Sequence, residues 1–384
     1  MILSSDTGGA YINSHRGAGT SRRLRAATHP LPIPNTSDLS GQRRWNSAGV
    51  ALQRSARAVA VTALLLGGCS STHEAAPPPS PGPEPRVTAE AVGGRPETLR
   101  VAPYIDVTAG PVAIDDLAAT GQTDFTLAYL QAPPQGACDP AWGGRTPLAD
   151  ATVTGEADRI TGRGGNVVVA TGGPTGTYLE SVCSEEQLAG AYRKALDAVG
   201  ANRLDVDLEQ QVTVEPVIRA LTELQEDRDT AITLTLPVAG VTGFGSDAIT
   251  MLKAAADAGL KVTVNALTMN FNAAGGGWGR AMTLAAGAAR AALAGVWPDK
   301  SVEELWEMFG VTPMIGVNGT GGTTKPADAA YLLKWAKSKG VGFVRFWSVN
   351  RDTGACGNGT VAANCSGIIQ TAYQFTIQFQ KFSD

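Results

Sequence analysis

Three acidic side chains alternate through a short apolar run, Leu204-Asp205-Val206-Asp207-Leu208-Glu209. In an extended strand the side-chain period is two, so Asp205, Asp207 and Glu209 share one face and Leu204, Val206 and Leu208 the other. Successive carboxylates on that face would stand roughly 6.6–6.8 Å apart. Like charges so close, on a strand whose other face is apolar, raise one another's proton affinity. A chain accepts that cost where it does acid–base chemistry or holds a cation. A rigid strand rarely wraps an ion without help from a loop, so the run reads first as an acid–base site.

Other residues narrow the chemistry. His15, His29 and His73 are the only histidines, and all precede the globular part of the chain. A Ser-His-Asp or Cys-His nucleophile system is therefore excluded there, as is a His-ligated metal centre. Proton transfer must fall to carboxylates, with no cofactor and no metal expected. The net charge is −4 and there is no basic stripe, which argues against a nucleic-acid partner. The glycine-rich stretch Gly316-Val317-Asn318-Gly319-Thr320-Gly321-Gly322 lacks the lysine of a phosphate loop and reads as a turn.

The elements that must position the acids recur along the chain. Apolar, β-branched runs at Val101–Val107, Asp124–Leu130, Asn166–Thr171, Leu204–Leu208, Ala231–Leu236, Val262–Met269, Pro313–Val317 and Gly342–Trp347 predict strands. Helical spacing predicts helices at Glu185–Val199, Val212–Glu226, Asp247–Ala258, Arg280–Ala294 and Ala327–Lys339, and a last one from Ile368 to Phe379. Eight strands alternating with helices predict an α/β (β/α)₈ TIM barrel. An open doubly wound sheet is the other architecture with this alternation, but no Gly-x-Gly-x-x-Gly follows the first strand. In a barrel, catalytic groups sit at the C-terminal ends of the strands, and Glu209 lies where the fourth strand passes into its loop.

The globular domain is expected over residues 99–384, enough for one large core. Residues 1–53 read as a leader, residues 54–69 as a signal peptide and residues 70–98 as a proline-rich linker. The signal segment has basic Arg54 and Arg57, the apolar run Ala58 to Leu66, and then Gly67-Gly68-Cys69. Its apolar run is too short to span a bilayer. Leu66-Gly67-Gly68-Cys69 resembles a bacterial lipobox, which would lipidate Cys69; an ordinary signal peptide with an incidental cysteine is the other reading. The expected location is secreted or at the cell surface, with membrane attachment only through the lipid and the protein a monomer. Because an export signal belongs near an N-terminus, either the start lies downstream of Met1 or the leader is unusually long. Four further cysteines, Cys138, Cys183, Cys356 and Cys365, suggest two bridges in an exported domain. Three pairings are possible. A short Cys356–Cys365 loop would leave Cys138 with Cys183.

Several segments together resemble glycoside hydrolase family 18, the chitinase-like (β/α)₈ enzymes. Asn202 to Glu209 is similar to the family's Asp-x-x-Asp-x-Asp-x-Glu signature, with Asn202 in place of the first Asp. Ala170-Thr171-Gly172-Gly173 resembles the Ser-x-Gly-Gly end of the third strand, and Phe346-Trp347-Ser348-Val349-Asn350-Arg351-Asp352 the eighth-strand segment whose Trp floors the sugar site. Val101-Ala102-Pro103-Tyr104-Ile105-Asp106-Val107-Thr108 and Met314-Ile315-Gly316-Val317-Asn318 resemble the first and seventh strands of bacterial members.

The resemblance implies hydrolysis of polymers of β-1,4-linked N-acetylglucosamine with retention and without an enzymic nucleophile, the substrate's acetamido oxygen attacking the anomeric carbon. It implies Glu209 as general acid and then base. Asp207 would orient the acetamide and stabilise the oxazolinium, and Asp205 would share a proton or hydrogen bond with Asp207. Trp347, Met269, Asn270, Tyr104 and Gly172 would contact the sugar. The family commonly ends its sixth strand in Met-x-Tyr-Asp; here Met269 stands at the Tyr and Asn270 at the Asp. Asn270, Tyr104, Tyr129 and Tyr178 are the candidates to replace the missing hydroxyl. A glycan-binding barrel with weak or no hydrolysis is the alternative reading.

Trp142 and Trp278 sit in glycine-rich loops and are candidate sugar platforms or loop packing. Trp306 and Trp335 fall at helical spacing with apolar neighbours and are expected in the outer core.

Overall fold

The computed structural model describes residues 97–273 and 275–383. The expected leader, the signal segment with Cys69, and the linker up to residue 96 lie outside these residues.

Eight parallel strands form the barrel: β1 Tyr104–Asp106, β2 Phe125–Gln131, β3 Val167–Gly172, β4 Arg203–Asp207, β5 Ala231–Pro237, β6 Val262–Leu267, β7 Phe309–Thr312 and β8 Phe343–Val344. Each pairs with the next in parallel. Hydrogen bonds beside the short β8 close the ring. Val101 bridges Val344 in parallel, the Val344 N–H donates to the Arg100 carbonyl at 2.9 Å, and the Tyr104 N–H donates to the Phe346 carbonyl at 3.1 Å. With no open edge left to pair, the (β/α)₈ expectation holds and the open doubly wound sheet does not.

Helices follow the strands on the outside, the longer ones being Ala151–Gly162, Glu185–Ala198, Val214–Arg228, Ser246–Asp257, Trp278–Leu293 and Pro326–Lys339. Glu185–Ala198 shows why the sequence takes this form. Ser184 accepts the Gln187 N–H and the Gln187 side chain returns to the Ser184 N–H, a capping box that satisfies two orphan donors. Leu188, Tyr192, Ala195 and Leu196 then form its buried stripe. On β4, Leu204 and Val206 point outward into the main core under these helices. Asp205 and Asp207 point inward and are fully buried. The period-two expectation for this strand is met.

The seventh strand and the last helix are placed differently from the sequence expectation, the eighth strand is shorter, and the helix Ala151–Gly162 was not predicted. The seventh strand is Phe309–Thr312, not Pro313–Val317. Gly316–Val317 belongs instead to a two-stranded ribbon with Thr323–Thr324. Gly310 disguises the true strand, because a glycine inside an apolar run looks like a break. Here it is required by packing: a Cβ at Gly310 would lie 2.2 Å from the Phe343 ring on β8. The last helix is shorter than expected, Gln374–Gln380. Asp352 sets its start by accepting the Phe375 N–H at 3.1 Å and the Thr376 N–H at 2.7 Å.

The disulfides are Cys138–Cys183 and Cys356–Cys365. Trp306 and Trp335 pack edge to face at 5.7 Å in the outer layer.

Candidate active site

The acids of β4 occupy three different environments. Asp205, the deepest, is held on all sides. Tyr104 Oη donates to its Oδ2 at 2.5 Å, Thr235 Oγ1 donates to its Oδ1, and Arg345 Nη1 pairs with Oδ2 at 2.8 Å. Arg345 is only 5% exposed, so this is an ion pair inside the barrel. Asn265 extends the layer by donating to Thr235 Oγ1 at 3.1 Å while accepting from Thr312 Oγ1 at 2.9 Å.

Asp207, one layer higher, has one partner among the described residues. Tyr129 Oη donates to its Oδ2 at 2.8 Å. Its Oδ1 is buried without any partner among the described residues. Burial, then the charges of Glu209 and Asp205, push the Asp207 carboxyl well above the usual range, against the opposing pull of Tyr129 and Arg345.

Glu209 lies just past the end of β4 and lines two adjoining hollows. One, of about 190 Å³, is bounded by Tyr104, Tyr129, Met269, Asn270 and Trp347. The other, of about 480 Å³, runs toward Gln211, Val238, Ser246 and Met251. Burial pushes the Glu209 carboxyl up to about 7. Its backbone is fixed by a 2.9 Å hydrogen bond from the Glu209 N–H to Tyr178 Oη, whose own proton goes to the Gly173 carbonyl. A carboxylic acid held at a cleft between two open spaces, with a proton it can release near neutral pH, is equipped to protonate a leaving oxygen.

Half-buried Trp347 stacks on Tyr129 with ring centroids 5.3 Å apart and planes 12° apart. Tyr104 completes the aromatic cluster, 5.9 Å from Trp347. Small side chains at Ala128 and Ala170 make room for these rings inside the barrel. Trp347 thus lines the same hollow as Glu209, as sequence position suggested.

The candidates for the missing sixth-strand hydroxyl separate clearly. Tyr129 reaches Asp207, whereas Tyr104 is committed to Asp205 and Tyr178 to the loop carrying Glu209. Asn270 is exposed, and its Oδ1 accepts the Gly319 N–H at 2.8 Å, tying two loops together at the rim. Met269 contributes a thioether wall.

Two expected sugar contacts are corrected. Trp142 is fully buried. It lies on the short ribbon strand Ala141–Trp142, opposite Leu130, and packs in the main core. Gly143 and Gly144, which follow it, make a hairpin turn to Thr146–Pro147 rather than a flexible platform. Gly172 is also buried and lines neither hollow. Its φ of 87° and its closeness to β4 explain the glycine, since a Cβ there would lie 1.9 Å from the Asp207 carbonyl oxygen. Trp278, a candidate platform or packing residue, begins a helix, donates from Nε1 to Thr324 Oγ1 at 2.9 Å and packs on Phe271. Trp142→Ala is expected to lower stability by about 3–5 kcal/mol and to leave the affinity of the folded protein for oligosaccharide unchanged. Denaturant unfolding and titration calorimetry would check both.

Sequence reasoning missed Arg345 and gave Tyr129 only as one of four candidates. Arg345 sits next to Phe346-Trp347, and an arginine inside an apolar strand run was the available signal. Asn202, at the departure from the signature, bonds the Arg228 carbonyl at 2.9 Å and Thr230 Oγ1 at 2.7 Å, so it anchors the base of β4 and takes no part in the acid cluster.

No protein-family model matches the chain. Among proteins, it is 29% identical over 277 residues to an Escherichia coli (strain K12) protein named "Probable bifunctional chitinase/lysozyme", covering 65% of this chain and 30% of that one. It is 28% identical over 278 residues to Endochitinase 11 of Metarhizium anisopliae, covering 65% of this chain and 52% of that one. The chain therefore spans about a third and about half of the length of these relatives. Among solved structures, active domain 2 of a thermostable chitinase from Pyrococcus furiosus, whose catalytic-site mutants were determined with chito-oligosaccharides, is 31% identical. The TM-score is 0.68, covering 74% of this chain and 94% of that one. With the barrel, the β4 acids and the eighth-strand tryptophan in place, and at this identity over nearly the whole of that domain, the chain belongs to glycoside hydrolase family 18, the chitinase-like (β/α)₈ enzymes.

Proposed function

We propose that the protein hydrolyses β-1,4-linked N-acetylglucosamine polymers by substrate-assisted retaining catalysis. The observation that carries this reading is the pairing of Glu209, poised between two hollows, with Asp207, whose Oδ1 is buried and unpartnered. A sugar seated against Trp347 would place its 2-acetamido group toward that oxygen. The Asp207 carboxylate, with Tyr129 Oη donating to its Oδ2, accepts the acetamide N–H on Oδ1 and holds the group so that its carbonyl oxygen attacks the anomeric carbon. The glycosidic C–O bond breaks as Glu209 gives its proton to the leaving oxygen. The resulting oxazolinium is stabilised by the Asp207 carboxylate. Glu209, now a carboxylate, takes a proton from the water that opens the ring, and the β-configuration is restored. Tyr129 steadies Asp207, and Arg345 with Tyr104 keeps Asp205 beneath it as a fixed negative charge.

The test is release of reducing ends from chitohexaose, with the first-formed anomer followed by proton NMR. An initial β-anomer supports the scheme. Tight binding with no reducing ends after days of incubation would reject it in favour of a glycan-binding barrel. The pH profile follows from Glu209. The working form is the protonated acid, and its carboxyl titrates at about 7. kcat/KM is expected to fall as pH rises through about 7; a profile flat from pH 5 to pH 9 would contradict Glu209 as the acid.

A further inference from the structure

The opposite end of the barrel carries a second cavity, of about 550 Å³, at the N-terminal ends of the strands. That end of a (β/α)₈ barrel ordinarily serves stability and is filled by layers of bulky branched side chains. Here the inward residues of that layer include Val168, Arg203, Thr233, Thr263 and Arg345, and the space between them is open. Lys261 and Lys300 stand at the same cavity, with Trp297 as an apolar wall. Four cations thus face one carboxylate, that of exposed Glu97.

Arg345 is paired with Asp205 at 2.8 Å, but Arg203 is not balanced in place. Among the described residues, Arg203 makes no ion pair; its Nη1 donates to Asn166 Oδ1 at 3.1 Å. Asp124, the acid whose charge acts on Arg203, accepts the Asn166 N–H and Nδ2, each at 2.8 Å. Burial holds Arg203 below the ordinary guanidinium value despite Asp124. Arg345 offers Nη1 to Asp205 and Nη2 to Thr233 Oγ1 at 3.3 Å. The Nε of both arginines is buried without a partner among the described residues. Each such N–H left without an acceptor is costly. The Thr233 and Thr263 hydroxyls lie 3.0 Å apart, and Thr263 Oγ1 donates to the Ile232 carbonyl at 3.5 Å. Donors without acceptors, two guanidinium groups and two ammonium groups form a receptor for an oxyanion.

We propose that this lower mouth of the barrel binds a small phosphate-class oxyanion between Arg203, Arg345, Lys261 and Lys300. The site is separate from the acid cluster above and does not depend on what that cluster cleaves. It touches the cluster through one residue, since Arg345 both lines the cavity and neutralises Asp205.

The probe is inorganic phosphate added to the full chain at ionic strength held constant with sodium chloride. A saturable rise in thermal midpoint is expected, together with a change in tryptophan emission that Trp297→Phe removes. Arg203→Met should abolish the rise, and Lys300→Gln, a surface change that leaves the fold intact, should weaken phosphate binding severalfold. Arg203→Lys keeps the charge but loses the fork, so it should bind more weakly than the parent. The proposal is overturned if phosphate gives no saturable shift beyond chloride, or if Arg203→Met and Lys300→Gln shift as the parent does.

Discussion

Glu209→Gln is expected to lower kcat by about 10²–10⁴-fold, the range for loss of a positioned general acid, while chito-oligosaccharide affinity stays within a fewfold of the parent. The amide keeps the shape and the hydrogen-bonding capacity of the side chain but cannot yield a proton. Tyr178 still fixes the loop through the backbone N–H of residue 209, so the cleft should not rearrange. Single-turnover hydrolysis and titration calorimetry on the same preparation separate the two effects. Equal losses in binding and turnover would mean that Glu209 holds the sugar rather than protonating it. The same variant has a stability signature. The folded-state pKa of Glu209 is raised, to about 7, so its contribution to stability is fully present below its unfolded value and is lost as pH rises through about 7. Glu209→Gln should therefore gain thermal midpoint relative to the parent at pH 8 and show no gain at pH 4.

Arg345→Met is expected to be among the most destabilising substitutions in the barrel. It leaves the Asp205 charge enclosed by Tyr104 and Thr235 with no cation beside it. Breaking a buried pair from one side costs about 3–5 kcal/mol. Asp205→Asn together with Arg345→Met removes both charges and should recover a large part of the lost stability, though not activity. Denaturant midpoints for the two single variants and the double variant close the cycle. Additive losses in the double variant would show that the two side chains do not act as a pair.

The acid cluster was legible because its information is local. Alternation with period two assigns Asp205, Asp207 and Glu209 to one face whatever surrounds them, and the apolar residues between them require a covered strand. The helix Glu185–Ala198 was legible for the same reason, its cap and apolar stripe lying within one short segment. The seventh strand was displaced by a few residues because Gly310 answers to Phe343 across the sheet, which no local pattern reveals. Trp142 was misread because a tryptophan followed by two glycines has the same sequence in an open loop and in a buried hairpin.

The sequence by itself determined the alternation of strands and helices, the chemistry left open once histidine is absent from the domain, and the face on which the acids stand. The tertiary structure alone decided what those acids touch. Tyr129 meets Asp207 across 78 positions, and Arg345 meets Tyr104 across 241. Such partners are chosen when the barrel closes on itself, bringing β8 beside β1 and setting inward side chains of distant strands in one layer. Local propensity acts over a few residues, whereas the desolvation that makes Arg345 necessary and raises the proton affinity of Asp207 and Glu209 exists only inside the closed barrel.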